Sequence, residues 1–149
     1  MQIRARVQSR RDEHQVTLST NGQEHSLAIP PKPSGFGSSA NGGELLALAL
    51  ATCYCNDLYR EAAGRGIAVQ AVEVEVEAQF GGAGEPAQRI RYLAKVTADA
   101  PEDAVRELVE HTDRVAEVHN TLRSGIAVEL GGAEVAGLSE SSPGGSPRT

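Results

Sequence analysis

The chain has 149 residues, a formal charge of −6 and only 3% aromatic residues. A chain of this length forms one domain with its own apolar core. The negative charge and the scarcity of aromatic rings argue against a nucleic-acid partner, because phosphates attract basic surfaces and bases stack on rings. Neither a signal peptide nor a membrane span of about 20 apolar residues is recognisable, which predicts a cytoplasmic protein with no membrane partner.

The first thirty residues predict three antiparallel strands. Ile3, Ala5 and Val7 alternate with polar residues, which is the period-2 pattern of a half-buried strand. Two shorter alternations flank the pair Asn21-Gly22, which readily takes the positive φ angles of a tight hairpin turn. Their apolar residues are Val16, Leu18, Leu27 and Ile29.

A loop and a long helix follow this meander. Residues 30–43 are rich in Pro, Gly and Ser and lack an apolar period, which predicts a connecting loop. A helix is predicted from Glu44, and its first turns are apolar on all sides, as expected for a helix buried in the core. Its second half, residues 56–65, is amphipathic and is predicted to end at Gly64 or Gly66.

The second half of the chain predicts a strand hairpin, a helix and a final strand. Residues 67–80 and 88–99 alternate apolar and polar side chains around a Gly-rich reversal. Residues 100–123 start with a proline and acidic groups, with Asp99 or Ala100 as the cap of a single helix. The stretch GIAVEL, residues 125–130, predicts a closing strand.

The predicted order is therefore β-β-β-α-β-β-α-β, an α+β fold rather than the βαβαβ alternation of a doubly wound sheet. We expect a single domain over residues 1–136. The Ser-, Pro- and Gly-rich residues 137–149 predict a disordered C-terminal tail.

Both cysteines lie on the long helix, at Cys53 and Cys55. Cys53 is predicted to lie deep, and a buried cysteine is commonly an unreactive apolar residue. The two side chains are about 200° apart around a helix, so a disulfide between them requires the helix to unwind. The spacing of Cys53, Cys55 and His111 recurs in no zinc site, and we predict neither a metal nor a cofactor.

A resemblance to a known family accompanies this element order. The stretch SANGGELLALALATC is similar to the Asn-Pro-Glu-[Glu/Gln]-Leu segment that leads to the peroxide-attacking cysteine in the OsmC/Ohr family of hydroperoxide reductases. Asn41 and Leu45 match that segment, and Cys53 falls at the reactive cysteine. Residues 10–30 also resemble the family's early Arg-Asp stretch, which places Arg11 where the family keeps an arginine beside its thiol.

The resemblance implies a thiol peroxidase that acts in oxidative-stress defence. The thiolate attacks the O–O bond of an organic hydroperoxide and becomes a sulfenic acid, which a second cysteine then closes to a disulfide. An arginine fits this chemistry because a fixed cation lowers the pKa of a thiol. The resemblance also implies an intertwined homodimer, with a small hydroperoxide and a thiol reductant as the other partners.

The sequence departs from the family pattern at three positions, the first of which is Gly42, where the family has its proline. Gly43 stands where the family has the glutamate that orients its arginine, and Glu44 lies one position later. His111, in HTDR, stands where the family's second-helix motif Cys-Pro-x-Ser has its resolving cysteine. Three repairs remain open: resolution by Cys55, resolution by an external thiol, or a pair between Cys53 and His111 that activates the sulfur.

Other residues are weaker site candidates. Phe36, in the loop, is either an apolar lid over the site or a plug on the core, and it joins Glu44 as a candidate substrate-binding residue. Asp57 lies four residues after Cys53, where a carboxylate would raise the pKa of the thiol unless Arg11 or Arg60 neutralises it; a solvated position is the simpler expectation. The remaining histidines are predicted to be surface groups: His14, His25 and His119.

The sequence thus leads to three functional hypotheses. The first is the peroxidase, with Cys53 as the reactive thiol, Arg11 as its helper and His111 beside it. The second is a non-catalytic dimer of the same fold that binds or senses a small apolar or thiol-reactive ligand. The third is a hydrolase or transferase that uses Cys53 with His111, and no recognisable oxyanion site supports it.

Overall fold

The computed structural model describes residues 1–137 and contains three helices and two antiparallel sheets, which confirms the predicted α+β class. Apart from Gly137, the tail predicted at residues 137–149 lies outside the described residues. The elements in chain order are β1 (Ile3–Arg10), β2 (Glu13–Thr20), β3 (Gln23–Ser26), α1 (Gly42–Gly64), β4 (Ala68–Phe80), β5 (Ala87–Asp99), α2 (Glu102–Val115) and α3 (Glu117–Ser124).

The first sheet is the predicted meander, with strand order β1-β2-β3. Val7 pairs with Val16, so the apolar residues of the first two strands share one face. Asn21 and Gly22 both have positive φ, 50° and 85°, as a tight hairpin turn between β2 and β3 requires. The strand β3 ends before Leu27, so the prediction extended this strand too far.

The second sheet is the long hairpin of β4 and β5, with Val74 opposite Ala94. The alternate residues that face the helices are half-buried, whereas the glutamates between them are exposed, which confirms the period-2 prediction. On the outer face Lys95 forms an ion pair with Glu73 at 2.7 Å.

The helix α1 begins two residues before the predicted start. Asn41 caps it: its side chain accepts a hydrogen bond from the Glu44 amide at 2.9 Å, and the Glu44 carboxylate accepts one from the Asn41 amide at 2.7 Å. The helix ends at Gly64, and Gly66 follows with a left-handed φ of 67°, as predicted.

The core forms around the second half of α1. Tyr54, Leu58 and Ala62 pack with Leu108 of α2 and against the inner face of the hairpin. The prediction that α1 is buried on all sides is wrong for its first half, where Leu48 is 55% exposed. The physical reason is that the described chain covers only the side of these turns on which Leu50 lies, and leaves the side of Leu48 open.

The predicted second helix is two helices. Ala116 has an extended backbone, φ −66° and ψ 112°, and separates α2 from α3. Because alanine favours a helix, the sequence carries no signal for this break. The predicted cap is also wrong: the N-cap is Pro101, which makes no side-chain hydrogen bond, although Glu102 and Asp103 lie in the first turn as expected.

The predicted closing strand at residues 125–130 is absent from the described chain. Gly125 ends α3 with a φ of 64°, and the residues after it are exposed, without secondary structure. A strand needs a neighbouring strand for its backbone hydrogen bonds, and no described strand lies beside this segment. The predicted order therefore ends in a third helix.

No helix within residues 1–137 is long and apolar enough to cross a membrane.

Candidate functional site

Cys53 lies near the middle of α1 and is half-buried rather than deep. Its sulfur donates a hydrogen bond to Oδ2 of Asp57 at 3.3 Å, and Oε2 of Glu117 lies 3.9 Å away. Asp57 faces the sulfur because residues four apart lie on the same side of a helix. Glu117 reaches it because the break at Ala116 brings the start of α3 against α1.

Asp57 is buried, with 4% of its surface exposed, so the expectation of a solvated position is wrong. Its second oxygen, Oδ1, accepts a hydrogen bond from Arg60 at 2.7 Å. The same guanidinium contacts Glu61 at 3.2 Å and Glu117 at 3.4 Å. One arginine therefore serves three carboxylates.

These surroundings keep the thiol protonated. Burial raises the pKa of Cys53, and the Asp57 and Glu117 carboxylates raise it further, while the Val118 amide acts in the opposite direction. Burial and the neighbouring Glu117 carboxyl raise the pKa of Asp57, although its hydrogen bond from Cys53 and the Arg60 guanidinium oppose this shift. Within one chain, Cys53 is therefore held as a thiol, and Asp57 is the carboxyl group that accepts its hydrogen bond.

His111 is not paired with Cys53 in the described chain. Its Nε2 lies 3.0 Å from Oε2 of Glu61, two turns along α1 from the sulfur. Glu61 also accepts a hydrogen bond from Arg60, so a continuous set of polar contacts runs from the thiol through Asp57, Arg60 and Glu61 to the imidazole. His111 is thus connected to the site only through other side chains.

Arg11 and Phe36 lie together, away from Cys53. The Arg11 guanidinium stands 5.5 Å above the centre of the Phe36 ring, and 61% of the Phe36 surface is exposed. The loop is fixed to the first sheet, where Asp12 accepts a hydrogen bond from the Gly35 amide at 3.1 Å. Within residues 1–137 no hydrogen bond or ion pair joins Arg11 to Cys53, and Phe36 covers neither the site nor the core.

Glu44 is engaged in the helix cap, and a side chain at the position before it would be in tight contact with its neighbours. A Cβ atom at Gly43 would lie 3.0 Å from the Phe80 ring and 3.2 Å from the capping oxygen of Asn41. The departure from the family pattern at this position therefore has a steric counterpart in the structure.

The donor atoms of Cys53, Asp57 and Glu117 lie within 4.8 Å of one another. Sulfur and carboxylate oxygens can hold a metal ion, so this set differs from the Cys53, Cys55 and His111 set considered from the sequence. In the structure both carboxylates are paired with Arg60 instead.

His119 is the residue that the sequence analysis missed. It was predicted at the surface but is only 5% exposed, and it packs against the rings of Tyr54 and Tyr92 at centroid distances of 5.9 and 4.9 Å. Neither ring nitrogen has a hydrogen-bond partner among the described residues. A cavity of about 150 Å³ adjoins it, lined by Leu50, Ile90, Tyr92, His119, Leu122 and Arg123.

Burial and the nearby Arg123 lower the pKa of His119, which Asp113 only partly opposes. The unfolded chain therefore binds a proton more readily than the folded one, so stability is complete above the ordinary histidine pKa of about 6.5 and falls as the pH drops through it. We expect the midpoint of urea unfolding to decrease between about pH 8 and about pH 5.5. His119→Phe keeps the ring packing and should make this decrease smaller; equal decreases in both proteins would contradict the prediction.

The comparisons with known proteins agree with this fold. The family model described as OsmC-like protein matches residues 35–131, and the chain belongs to this family. A crystal structure of an OsmC-like protein from Mycoplasma pneumoniae superimposes with a TM-score of 0.57 at 17% identity, covering 82% of this chain and 89% of the other. The family prediction and the OsmC-like fold are thereby confirmed.

Two further solved structures share the fold. An OsmC-like hydroperoxide resistance protein from Jannaschia sp. CCS1 has a TM-score of 0.53 at 16% identity, covering 88% of this chain and 92% of the other. An organic hydroperoxide resistance protein from Elizabethkingia anophelis has a TM-score of 0.51 at 17% identity, covering 80% and 89%. No curated protein matches the sequence significantly.

Proposed function

We propose that this protein is a thiol-dependent peroxidase that reduces organic hydroperoxides with Cys53. The observation that carries the proposal is a half-buried thiol in contact with a buried carboxylate, in a chain of the OsmC-like family. Two proteins of the same fold are named hydroperoxide resistance proteins. The apolar cavity begins at Leu50, one turn before Cys53, and its lining suits the organic part of such a substrate.

The reaction requires an external reductant. Sulfur attack on the O–O bond gives Cys53 sulfenic acid and an alcohol. One small thiol then condenses with the sulfenic acid to a mixed disulfide and water, and a second one releases reduced Cys53 by exchange and leaves as the disulfide of the small thiol. Cys55 lies on a different side of α1, and His111 occupies the position of the family's resolving cysteine. A cytoplasmic location, where small thiols keep cysteines reduced, would supply such a reductant.

A homodimer completes this proposal. The strands of the first sheet contact one another, whereas the three helices contact the hairpin and each other, and the described chain provides no packed interface between the two groups. Apolar side chains stay uncovered on β1 and after α3, and a second copy would bury them. They are Ile3, Val7, Ile126, Val128 and Leu130.

The charges at the site favour the same arrangement. Asp57, Glu61 and Glu117 share the single guanidinium of Arg60, so the site lacks positive charge. Arg11 lies on the sheet that needs a partner, and its only aromatic or charged contact within residues 1–137 is Phe36. In a dimer, Arg11 of one copy would approach the site of the other, where its guanidinium would offset part of the carboxylate charge and hold the peroxide oxygen.

The raised pKa of Cys53 favours a second candidate, a non-catalytic dimer that binds or senses a small apolar ligand. A thiol that stays protonated reacts slowly with peroxides, because the thiolate is the nucleophile. In this alternative the cavity beside His119 holds the ligand, and Cys53 is a neighbouring residue that takes no part in chemistry.

Peptide-resolved mass spectrometry separates the two candidates. The reduced protein is mixed briefly with one equivalent of tert-butyl hydroperoxide, and in parallel with hydrogen peroxide. The peroxidase is expected to add one oxygen at Cys53 rapidly, and faster with the organic peroxide, while Cys55 stays unmodified. If Cys53 is oxidised no faster than a free thiol such as glutathione, the peroxidase hypothesis is rejected and the binding-protein hypothesis remains.

A further inference from the structure

We propose that Asp57 is the catalytic base that accepts the thiol proton of Cys53 as the sulfur attacks the peroxide. This inference rests on the proposed peroxidase function and assigns a role to a residue outside the family motif quoted above. Its first support is direct contact: the Cys53 sulfur donates its hydrogen bond to Oδ2 of Asp57 at 3.3 Å. Asp57 therefore touches the group that reacts.

The structure holds Asp57 in one orientation. Its Oδ1 is fixed by Arg60 at 2.7 Å, which leaves Oδ2 directed toward the sulfur. The side chain is 4% exposed and projects from the same helix as Cys53, one turn away, so little motion separates acceptor and donor. A general base needs this kind of fixed hydrogen-bond contact with the proton that it removes.

The surroundings explain why a base is needed. Within residues 1–137 no cationic group contacts the sulfur, and the charged groups that face it are the carboxylates of Asp57 and Glu117. A preformed thiolate is therefore disfavoured, and the proton has to leave as the S–O bond forms. A carboxylate in contact with the S–H group provides this path at pH values at which a free thiol is largely protonated.

The step balances as follows. Sulfur attacks the terminal oxygen of the hydroperoxide R–O–O–H, the S–O bond forms, the O–O bond breaks and R–O⁻ leaves. The thiol proton moves to Oδ2 of Asp57 and from there to R–O⁻. The products are Cys53 sulfenic acid and the alcohol R–OH; sulfur is oxidised by two electrons, the peroxide is reduced by two, and Asp57 is again a carboxylate.

Glu117 is a less suitable acceptor and provides the matched control. Its Oε2 lies 3.9 Å from the sulfur, and its side chain is 64% exposed. Glu117→Gln removes a negative charge near the thiol but leaves the contact with Asp57. We therefore expect Glu117→Gln to lower the pKa of Cys53 and to retain the rate of Cys53 oxidation at about pH 6.

The test measures the rate constant for oxidation of Cys53 by tert-butyl hydroperoxide as a function of pH, in a Cys55→Ser background with one thiol. With Asp57 as base, the rate should stay level between the pKa of Asp57 and that of Cys53. Asp57→Asn should lower the rate at about pH 6 by about 10²- to 10⁴-fold, which is the usual contribution of a general base. Asp57→Glu should recover part of it.

The pH profile separates a base from a structural role. Asp57→Asn removes a negative charge, so its rate should rise with pH and approach that of the parent protein at about pH 9, where thiolate forms without help. Two results would overturn the assignment of Asp57 as the base but leave the peroxidase proposal standing. One is a loss of rate in Asp57→Asn that is equal at all pH values, and the other is a parent rate that rises tenfold per pH unit below the thiol pKa. A parent protein whose Cys53 is not oxidised would overturn the peroxidase proposal and this inference together.

Discussion

Catalytic reduction of tert-butyl hydroperoxide is expected to fall to the background rate in Cys53→Ser and to persist in Cys55→Ser. Serine keeps the size of the side chain but its oxygen cannot be oxidised by a peroxide, so no sulfenic acid forms. Cys55 points about 200° away from Cys53 around α1, and among residues 1–137 the sulfur in contact with Asp57 and Glu117 is that of Cys53. Its removal should therefore leave the first chemical step unchanged.

The measurement is peroxide consumption with added thiol, compared between a dithiol and a monothiol reductant. If an external thiol resolves the sulfenic acid, Cys55→Ser should retain turnover with both reductants. A Cys55→Ser protein that is oxidised once and then stops would indicate that Cys55 is the resolving cysteine, which requires α1 to unwind locally. Activity that survives in Cys53→Ser would exclude Cys53 as the reactive thiol.

Replacing Leu58 by alanine is expected to lower the free energy of unfolding by about 3 kcal/mol, within the range of about 2–5 kcal/mol for such core substitutions. Leu58 is fully buried between the hairpin and α2, where it packs with Tyr54, Ala62 and Leu108. The loss combines the transfer of three carbon atoms out of the core with the cavity that they leave. Urea unfolding monitored by circular dichroism gives the value.

Leu48→Ala is the matched comparison, because it makes the same chemical change on the same helix. Leu48 is 55% exposed, so we expect a loss below about 1 kcal/mol. Both proteins should be measured at the same concentration, since the stability of a dimer depends on it. Equal losses at the two positions would contradict the packing described for α1.

The elements that the sequence predicts best are those whose structure depends only on residues near each other in the chain. The hairpin alternates half-buried and exposed residues from Val72 to Ala78 in β4 and from Tyr92 to Ala98 in β5, and the turn at Asn21-Gly22 requires only local backbone angles. The closing strand at residues 125–130 has an equally clear pattern but is absent from the described chain. Its formation depends on a neighbouring strand, which no local pattern provides.

The candidate site could be predicted only in part, for a similar reason. Cys53 and Asp57 share a helix, so their spacing alone places them on one side. Glu117 and His119 come to the same region through the break at Ala116, which has no sequence signal. His119 would be exposed on a continuous helix, but the break at Ala116 turns it toward the core, where it is buried.

The sharing of Arg60 among three carboxylates has a consequence for the choice of substrate. Asp57, Glu61 and Glu117 carry three negative charges, and the guanidinium offsets one of them. A fatty-acid hydroperoxide, whose carboxylate is ionised at neutral pH, would approach against this field, and salt would reduce the repulsion. An uncharged alkyl hydroperoxide would meet no such barrier, so we expect the proposed peroxidase to prefer uncharged organic hydroperoxides.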